Sequence, residues 1–231
     1  MQFIKKQTTE PIDWNVWFTV PPDRRTFNYG TDCSSLPRIR EAKQFLIDEQ
    51  HSLCAYCQQK IDIDNSSIEH VTPKEHNKEL STSYFNLVAV CNKNQVKDHL
   101  TGKFHCDRER GSNIIPPVIF YSNTKSVANK TNFYFTAYAS GEIAAKPSLE
   151  ITIRNQIEAF INILNLNHST LKDNRAKGAL RGMTAAYSSL PDKSHKKSIF
   201  WRKQYDRILN NQFHPFREYL LVYIGSKIGL N

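Results

Sequence analysis

Four cysteines constrain the fold of this chain more than any other feature of its sequence. Cys54 and Cys57 form a CxxC pair, and Cys91 and Cys106 follow at wider spacing. A CxxC pair makes a tight turn that points two sulfurs at one place, and a tetrahedral zinc ion then needs two more ligands from elsewhere in the chain. Because metal binding of this kind is coupled to folding and contributes roughly 10–16 kcal/mol in small zinc peptides, the sequence predicts a structural zinc site that orders a loop-rich segment.

Other uses of these cysteines stay open. The chain has five cysteines, an odd number for disulfides, and its first residues show no secretion signal, so we expect reduced thiols. A redox pair of the thioredoxin type would lie in a βαβ pattern, and none is visible. Fourteen residues separate Cys91 from Cys106, so His99 or His105 could supply the fourth zinc ligand instead. Cys33, the fifth cysteine, is predicted to be an ordinary core or loop thiol.

A Glu-His pair lies between the two halves of the cysteine set. Residues 67–71 alternate apolar and polar side chains after the turn 64–66, which predicts the second strand of a hairpin with Glu69 and His70 on opposite faces. A histidine with a pKa of about 6.5 can accept a proton from water at neutral pH, while carboxylates hold a hard divalent ion. Glu69, His70 and Asp107 are therefore candidate residues for the hydrolysis of a phosphodiester.

Together with Asn86 and the sequence from Cys106 to Gly111, these motifs resemble the HNH, or ββα-metal, nucleases. The resemblance implies that Glu69 is a metal ligand and His70 the general base. It also implies that Asn86 ties the connecting loop so that the histidine is oriented, and that Asp107, at the start of a helix, is the second metal ligand. Catalysis would then use Mg²⁺ or Mn²⁺ between Glu69 and Asp107, with zinc as a separate structural ion.

The Glu-His and Cys-Asp pairs, with a long insertion before the last cysteine, are similar to the PtuB-like branch of that family, found in Septu and retron anti-phage systems. Arg108 stands where the family has asparagine, and Arg110 stands where it has lysine and keeps a phosphate-binding charge. The resemblance implies an effector nuclease, with DNA favoured as substrate. Its partner would be an ABC- or SMC-like ATPase of the PtuA type, joined in retrons by reverse transcriptase and msDNA. The chain itself has no GxxxxGK[ST] loop for nucleotide binding.

Positive charge is concentrated in the C-terminal quarter of the chain. The net charge is +9, and residues 171–231 hold 12 lysines and arginines against 4 acidic residues, whereas residues 1–170 hold 19 against 18. Such a region attracts a polyanion through phosphate contacts and counterion release, although a solvated helical face or an acidic protein partner would fit the same pattern. The candidate nucleic-acid contacts are Lys74, Arg108, Arg110, Lys172, Arg175, Lys177, Arg181, Lys196 and Lys197.

Hydrophobic periodicity divides the chain into three predicted regions of an α+β protein. Residues 1–53 hold an N-terminal segment and a helix that begins near Ser34, with Pro37 in its first turn. Residues 54–115 form the zinc-stapled core, which the resemblance assigns to the ββα-metal type. Residues 116–231 form a short hairpin followed by a mainly helical, basic region.

The C-terminal region has its own local signals. A hairpin is predicted from Phe133 to Ile143, with its turn at Ser140-Gly141. Helices are expected after Ser148 as N-cap, from Ser169 to Tyr187 and from about Ser198 to Leu209. An apolar stripe from Phe213 to Ile224 closes the chain and is predicted to pack internally, although it could also dock a partner.

Two other functions remain open on the sequence. One is RNase activity on tRNA or other RNA, with or without a metal, in which His70 activates a 2′-hydroxyl. The other is a non-catalytic, zinc-stabilised module that binds nucleic acid, in which Glu69-His70 has no role. No apolar run approaches the roughly 20 residues needed to span a bilayer, so for each function we expect a cytoplasmic protein without membrane contact.

Overall fold

A computed structural model of the protein describes residues 4, 6–7, 9–18, 39–92, 95–116, 134–192 and 195–230. In that part the chain is an α+β protein with two small antiparallel sheets. Cys33 and the predicted helix start at Ser34 and Pro37 lie outside the described residues. Within the described ranges, no helix has both the length and the apolar character needed to cross a membrane.

The helices are, in chain order, α1 (Trp14–Trp17), α2 (Ile39–Glu49), α3 (Asp107–Arg110), α4 (Ile151–Ile163), α5 (Ser169–Asp173), α6 (Arg181–Ser188), α7 (His195–Leu209) and α8 (Arg217–Lys227). The strands are β1 (Ser66–His70), β2 (Leu87–Cys91), β3 (Phe135–Ala137) and β4 (Ile143–Ala145). Short 3₁₀ turns cover Lys78–Leu80 and Tyr84–Asn86, and a π-helical segment, Asn174–Leu180, joins α5 to α6.

The first sheet, β1 with β2, carries the Glu-His pair and one of the cysteines. Its antiparallel register places Ser66 opposite Cys91, and β2 is buried at every position. The buried side chain of Gln50 completes the hydrogen bonding of Ala89 in β2, since it donates to the Ala89 carbonyl at 2.7 Å and accepts from the Ala89 N–H at 2.7 Å. Gln50 follows directly on α2, so this side chain ties the helix to the sheet.

The strand that carries Glu69 is the first of its pair, so the prediction of a second hairpin strand is wrong. The turn before it is closed by a side chain: Asp62 accepts from the backbone N–H groups of Asp64 at 2.8 Å and Asn65 at 2.9 Å. The partner strand comes later, after the connecting segment of residues 71–86. The two strands of the sheet therefore enclose a long loop.

The second sheet is the hairpin of β3 and β4, with its turn at Ser140-Gly141 as predicted. Gly141 has a φ of +84°, and a Cβ built there would lie 2.0 Å from the carbonyl oxygen of Lys172. Glycine alone tolerates both the conformation and the close approach. Phe133, where the hairpin was predicted to begin, lies outside the described residues.

The C-terminal region is helical as predicted, with different helix starts. Glu150 caps α4, because its carboxylate accepts from two N–H groups of the first turn at 2.9 and 3.4 Å, so the prediction of Ser148 as the cap is wrong. The next predicted helix is α5, the π-helical segment and α6 in succession. α7 begins at His195, ahead of the predicted Ser198.

The last helix, α8, is buried from Glu218 to Gly225 and packs against α7 and β3. The apolar stripe therefore packs internally along this helix, while Phe213 before it is 59% exposed. One hydrophobic core runs from Ile4 through the cysteines to Ile224. All three predicted regions contribute to it.

Candidate metal centre and catalytic cleft

The four cysteines of the predicted zinc site meet in the core. Their Sγ atoms all lie within 4.8 Å of one another, and all four side chains are buried. The sulfurs of Cys57 and Cys91 are 3.6 Å apart, and four sulfurs at about 2.3 Å from one zinc ion would be about 3.8 Å apart. This group could bind a structural metal such as zinc.

The histidines that could have replaced Cys106 lie outside this group. His99 is exposed. His105 places its Nδ1 3.3 Å from the Cys106 sulfur and 3.9 Å from the Cys91 sulfur, and burial is the main cause that lowers its pKa to about 4. The imidazole is thus neutral at pH 7 and neighbours the sulfurs as a hydrogen-bond partner, the position from which such groups orient metal ligands.

The turn of the CxxC pair is held by Gln58, the residue after it. Gln58 has a φ of +64°, a left-handed conformation, and its N–H donates to the Cys54 carbonyl at 3.0 Å. Its own carbonyl accepts from the Phe216 N–H at 3.1 Å, and its side-chain oxygen accepts from the Glu218 N–H at 3.1 Å. The cysteine turn is therefore fastened to the start of α8.

Cys106 is fixed from a different direction. Its N–H donates at 2.9 Å to the carbonyl of Leu164, the residue after α4. Its φ of +54° is unusual for a residue with a side chain and is tolerated where surrounding contacts enforce it. Because α3 begins at the next residue, Asp107, the cysteine cluster also determines where that carboxylate lies.

The thiols influence one another strongly. Burial by itself raises the pKa of Cys54, but hydrogen bonds from Cys106, Cys57 and Cys91 outweigh it and hold this pKa well below its ordinary range. Burial is the main cause that raises the pKa of Cys106 well above its ordinary range. Zinc binding requires thiolates, so it would release the protons that these cysteines carry.

Glu69 lies in a second buried polar group, next to Asp107. Its Oε1 accepts from the Tyr56 hydroxyl at 3.2 Å and from the Arg110 guanidinium, and the carboxyl also shares a hydrogen bond with Asp107. Burial and then the charge of Asp107 raise the pKa of Glu69 to about 8, against the opposing effect of Arg110. The carboxyl therefore carries a proton at neutral pH, which a cation bound between Glu69 and Asp107 would displace.

Arg110 joins α3 to the end of β1. Its side chain is fully buried, and it pairs with Glu69 and donates to four further oxygens: the Tyr56 hydroxyl (2.9 Å) and the carbonyls of His70 (2.7 Å), Val71 (2.6 Å) and Asn113 (2.9 Å). The prediction that Arg110 contacts nucleic acid is wrong, because its guanidinium is buried and already donates hydrogen bonds to these five oxygen atoms inside the protein.

His70 is the last residue of β1. Its Nε2 lies 2.9 Å from the carbonyl oxygen of Ser81. A carbonyl only accepts hydrogen bonds, so Nε2 carries the proton and the lone pair is on Nδ1. Burial is the main cause that lowers the pKa of His70, and the imidazole is neutral at pH 7. This is the protonation state that a general base needs.

Asn86 ties the loop that holds His70. Its Oδ1 accepts from the Thr72 N–H at 2.7 Å, and its Nδ2 donates to the carbonyls of Thr72 at 3.0 Å and Leu80 at 3.1 Å. These bonds join the two ends of residues 72–80, and the Ser81 carbonyl that holds His70 follows directly. Through this loop Asn86 fixes the position of the imidazole.

A surface cleft of about 230 Å³ brings these groups together; its lining residues are Ile68, Glu69, His70, Pro73, Lys74, Glu75, Asp107, Gly111 and Ser112. In the described part of the chain, the four cysteines form a group of His, Cys, Asp or Glu residues whose ligand atoms lie within 4.8 Å of one another, and the cleft residues form no such group of three or more. Three acidic residues line the cleft, and two of them, Glu69 and Asp107, share a hydrogen bond and form a pair of carboxylates, not a complete protein cage. Such a pair suits Mg²⁺, which keeps several waters and binds through one or two carboxylates plus phosphate.

Among the basic residues, Arg175 is buried like Arg110, at 3% exposed. The prediction of a nucleic-acid contact is wrong for this residue too, because its guanidinium bonds backbone carbonyls in the core. Arg108 is exposed and lies over the Phe104 ring, 3.7 Å from its centroid. The other candidates are half-buried or exposed; they are Lys74, Lys172, Lys177, Arg181, Lys196 and Lys197.

Tyr56 and Ser67 belong to the cleft network although the sequence did not single them out. Tyr56 lies inside the CxxC turn and reaches Glu69, and the Ser67 hydroxyl is 3.4 Å from a carboxylate oxygen of Asp107. A large aromatic residue within a tight metal turn is a signal for Tyr56, since it must pack against something. Nothing in the local sequence indicates Ser67.

The chain matches no model of a known protein family, and no curated protein matches it. The geometry of the cysteine cluster and of the cleft is therefore what indicates its function.

Proposed function

We propose that this protein is an HNH-type endonuclease, a hydrolase that cuts phosphodiester bonds of nucleic acid, with DNA as the favoured substrate. The observation that carries the proposal is that His70, Glu69 and Asp107 line one cleft. A general base, two carboxylates for a divalent ion and an open cleft are the parts that metal-assisted hydrolysis of a phosphodiester requires.

The proposed ββα-metal core consists of β1, β2 and α3. In its support, Glu69 and His70 end β1, the loop tied by Asn86 leads into β2, and Asp107 opens α3 next to Glu69. Arg110 then connects α3 back to β1. The proposal gives the cysteine cluster a separate role: it holds β2 and α3 together through Cys91 and Cys106.

Glu69 and Asp107 would hold the catalytic Mg²⁺ or Mn²⁺. The two carboxylates are close enough for Asp107 to raise the pKa of Glu69, and a divalent ion relieves that repulsion by replacing the shared proton. When bound, the ion supplies charge stabilisation at the phosphate and the leaving oxygen. Arg110 and Tyr56 occupy Oε1 of Glu69, which leaves its second oxygen as the ligand atom.

His70 takes a proton from the attacking water at Nδ1. The Ser81 carbonyl accepts from Nε2–H, so it orients the ring and stabilises the imidazolium that forms. Lys74, which lines the same cleft, and exposed cations such as Arg108 and Arg181 would contact backbone phosphates. Sequence preference would be weak, because phosphate contacts carry no base information.

The biological setting is proposed from the resemblance alone. There the protein is the effector nuclease of an anti-phage system, and an ABC- or SMC-like ATPase of the PtuA type controls it, in retrons with reverse transcriptase and msDNA. The lack of a nucleotide-binding GxxxxGK[ST] loop in this chain is compatible with control by another protein.

Cleavage assays with plasmid DNA and tRNA test the proposal, using Mg²⁺, Mn²⁺ or EDTA, with and without a candidate ATPase. Zinc content is checked after EDTA treatment, so that loss of the structural metal is not mistaken for loss of the catalytic one. His70→Ala should reduce metal-dependent cleavage by about 10²- to 10⁴-fold. His195→Ala, which changes an exposed histidine at the start of α7, should leave cleavage at the wild-type rate.

Two outcomes would contradict the proposal. Nucleic-acid binding without cleavage under any condition would favour the non-catalytic zinc module. Cleavage of RNA that persists in EDTA, with zinc retained, would favour a metal-independent RNase.

A further inference from the structure

Arg175 is a buried cation without an acidic partner. Its guanidinium donates to the carbonyls of Gly141 at 3.0 Å and Leu166 at 2.9 Å. Within the described residues, no carboxylate lies within 4.0 Å of it, since the salt bridges found there join other residues. Backbone carbonyls satisfy the N–H groups but do not neutralise the charge, and an unpaired buried charge is strongly unfavourable. A counter-charge must therefore lie nearby.

The cysteine cluster is a source of such charge close to Arg175. A small cavity of about 20 Å³ is lined by Arg175, by Tyr56 and Cys57 of the cysteine turn, and by Glu218, whose carboxylate pairs with Arg217. Arg175 therefore borders the same cavity as one of the four cysteines. One zinc ion with four thiolates has a net charge of −2. Burial lowers the pKa of Arg175 to about 10, and Cys57, Tyr219 and Cys106 oppose that effect, so the guanidinium is charged at neutral pH.

The π-helical segment places Arg175 on the buried face of the helical region. The buried residues of this stretch are Leu171, Arg175 and Leu180, at steps of four and then five. An α-helix brings residues three or four apart to one face, whereas the i→i+5 hydrogen bonds of a π-helix bring residues about five apart together. The five-residue step from Arg175 to Leu180 therefore follows from the π-helical segment Asn174–Leu180. With this spacing, Leu171, Arg175 and Leu180 all lie on the buried face.

We propose that Arg175 is the electrostatic counter-ion of the four-cysteine metal site. Because it lies in the helical region after the hairpin, it couples metal loading to the docking of that region on the cysteine cluster. The Cys57 and Cys106 thiolates provide the charge, and Gly141 and Leu166 hold the guanidinium in place. The proposal rests on zinc at the cysteines and is independent of the proposed nuclease activity.

The test measures zinc affinity of the full-length, zinc-loaded protein by competition with a colorimetric chelator, together with the unfolding temperature. Arg175→Gln removes the charge and should weaken zinc binding by about 10- to 100-fold, the usual effect of losing a group that supports metal ligands. Arg175→Lys keeps the charge and should bind zinc as tightly as wild type, even where the loss of the two carbonyl bonds lowers the unfolding temperature.

Lys6→Met is the matched control for general destabilisation. Lys6 is also a buried cation, but it has an acidic partner, Glu49, at 2.8 Å. Its loss should lower the unfolding temperature and leave zinc affinity unchanged.

Two results would overturn the proposal. If Arg175→Gln behaves like Lys6→Met, Arg175 serves only as a donor to two carbonyls. If Arg175→Gln does not fold, Arg175→Lys decides: a 10- to 100-fold loss of zinc affinity in that variant would show that positive charge is not what the site requires.

Discussion

Replacing Asn86 by aspartate should destabilise the protein and disturb His70 at the same time. Asn86 is 4% exposed. Its amide group donates to the carbonyls of Thr72 and Leu80 at 3.0 and 3.1 Å, and its oxygen accepts from the Thr72 N–H at 2.7 Å. Aspartate has nearly the same shape and keeps the acceptor, but as a carboxylate it has no N–H to donate. The two carbonyls would then face a buried negative charge.

The expected loss follows from these contacts. Two net hydrogen bonds contribute about 0.5–1.5 kcal/mol each, and burial next to two carbonyls raises the pKa of the introduced carboxyl. With about 1 kcal/mol more for the buried carbonyls left without a donor, the total is about 2–4 kcal/mol. For a chain of 231 residues this corresponds to a drop in unfolding temperature of roughly 4–16 °C. An acid whose pKa is raised on folding loses stability as the pH rises above its ordinary pKa, so the drop should be larger at pH 8 than at pH 5.

Thermal unfolding of Asn86→Asp at both pH values, alongside the cleavage assay, measures this effect. Asn210→Asp is the matched control, because Asn210 is exposed and donates one side-chain bond, to the Asp206 carbonyl at 2.9 Å; it should change stability by no more than about 0.5 kcal/mol. If Asn86→Asp unfolds within about 2 °C of wild type at both pH values, these bonds do not hold the loop. The conclusion that Asn86 positions His70 through the Ser81 carbonyl would then be wrong.

Three other substitutions test separate parts of the structure. Cys106→Ser should lose bound zinc, because a hydroxyl is a poor substitute for a thiolate ligand; full zinc content by elemental analysis would contradict a four-cysteine site. Tyr56→Phe removes the hydroxyl 3.2 Å from Glu69 and should cost about 1 kcal/mol, with an unchanged unfolding temperature as the contrary result. Asp98 accepts from the N–H groups of Ser169, Leu100 and Thr101, and the bond from Ser169 is the main cause that holds its pKa well below the ordinary range. An acid with a lowered pKa stabilises the fold above its ordinary pKa and loses that effect as the pH falls. Asp98→Asn should therefore lower the unfolding temperature at neutral pH and change it little in strong acid, whereas an equal change at both would show that charge is not involved.

The cysteine site could be predicted because its chemistry is local to the residues. A CxxC turn has few uses, and two later cysteines complete a ligand set whatever fold brings them together. The pairing of β1 with β2 was harder to predict from the sequence. β2 is buried at all five positions, so it shows none of the alternation that marks a half-buried strand. The hairpin prediction therefore gave β1 a partner earlier in the chain instead of β2. The long loop between them further hid the pairing.

The buried arginines could not be recognised from sequence at all. Arg110 and Arg175 lie in basic, polar surroundings that normally indicate an exposed face. Each is buried because groups distant in sequence satisfy it: Glu69 and two carbonyls at the end of β1 for the first, and the hairpin turn and cysteine cluster for the second. Such compensation depends on the assembled tertiary structure, and residue type alone does not report it.

The contact between Gln58 and the start of α8 also has a consequence for synthesis of the chain. The two bonded residues, Gln58 and Glu218, are 160 positions apart. At translation rates of about 5–20 residues per second, roughly 8–32 s pass between their emergence from the ribosome. All four cysteines are made well before α8, so a metal ion that these cysteines could bind would meet them while the hydrophobic surface that α8 later covers is still open to water and to chaperones.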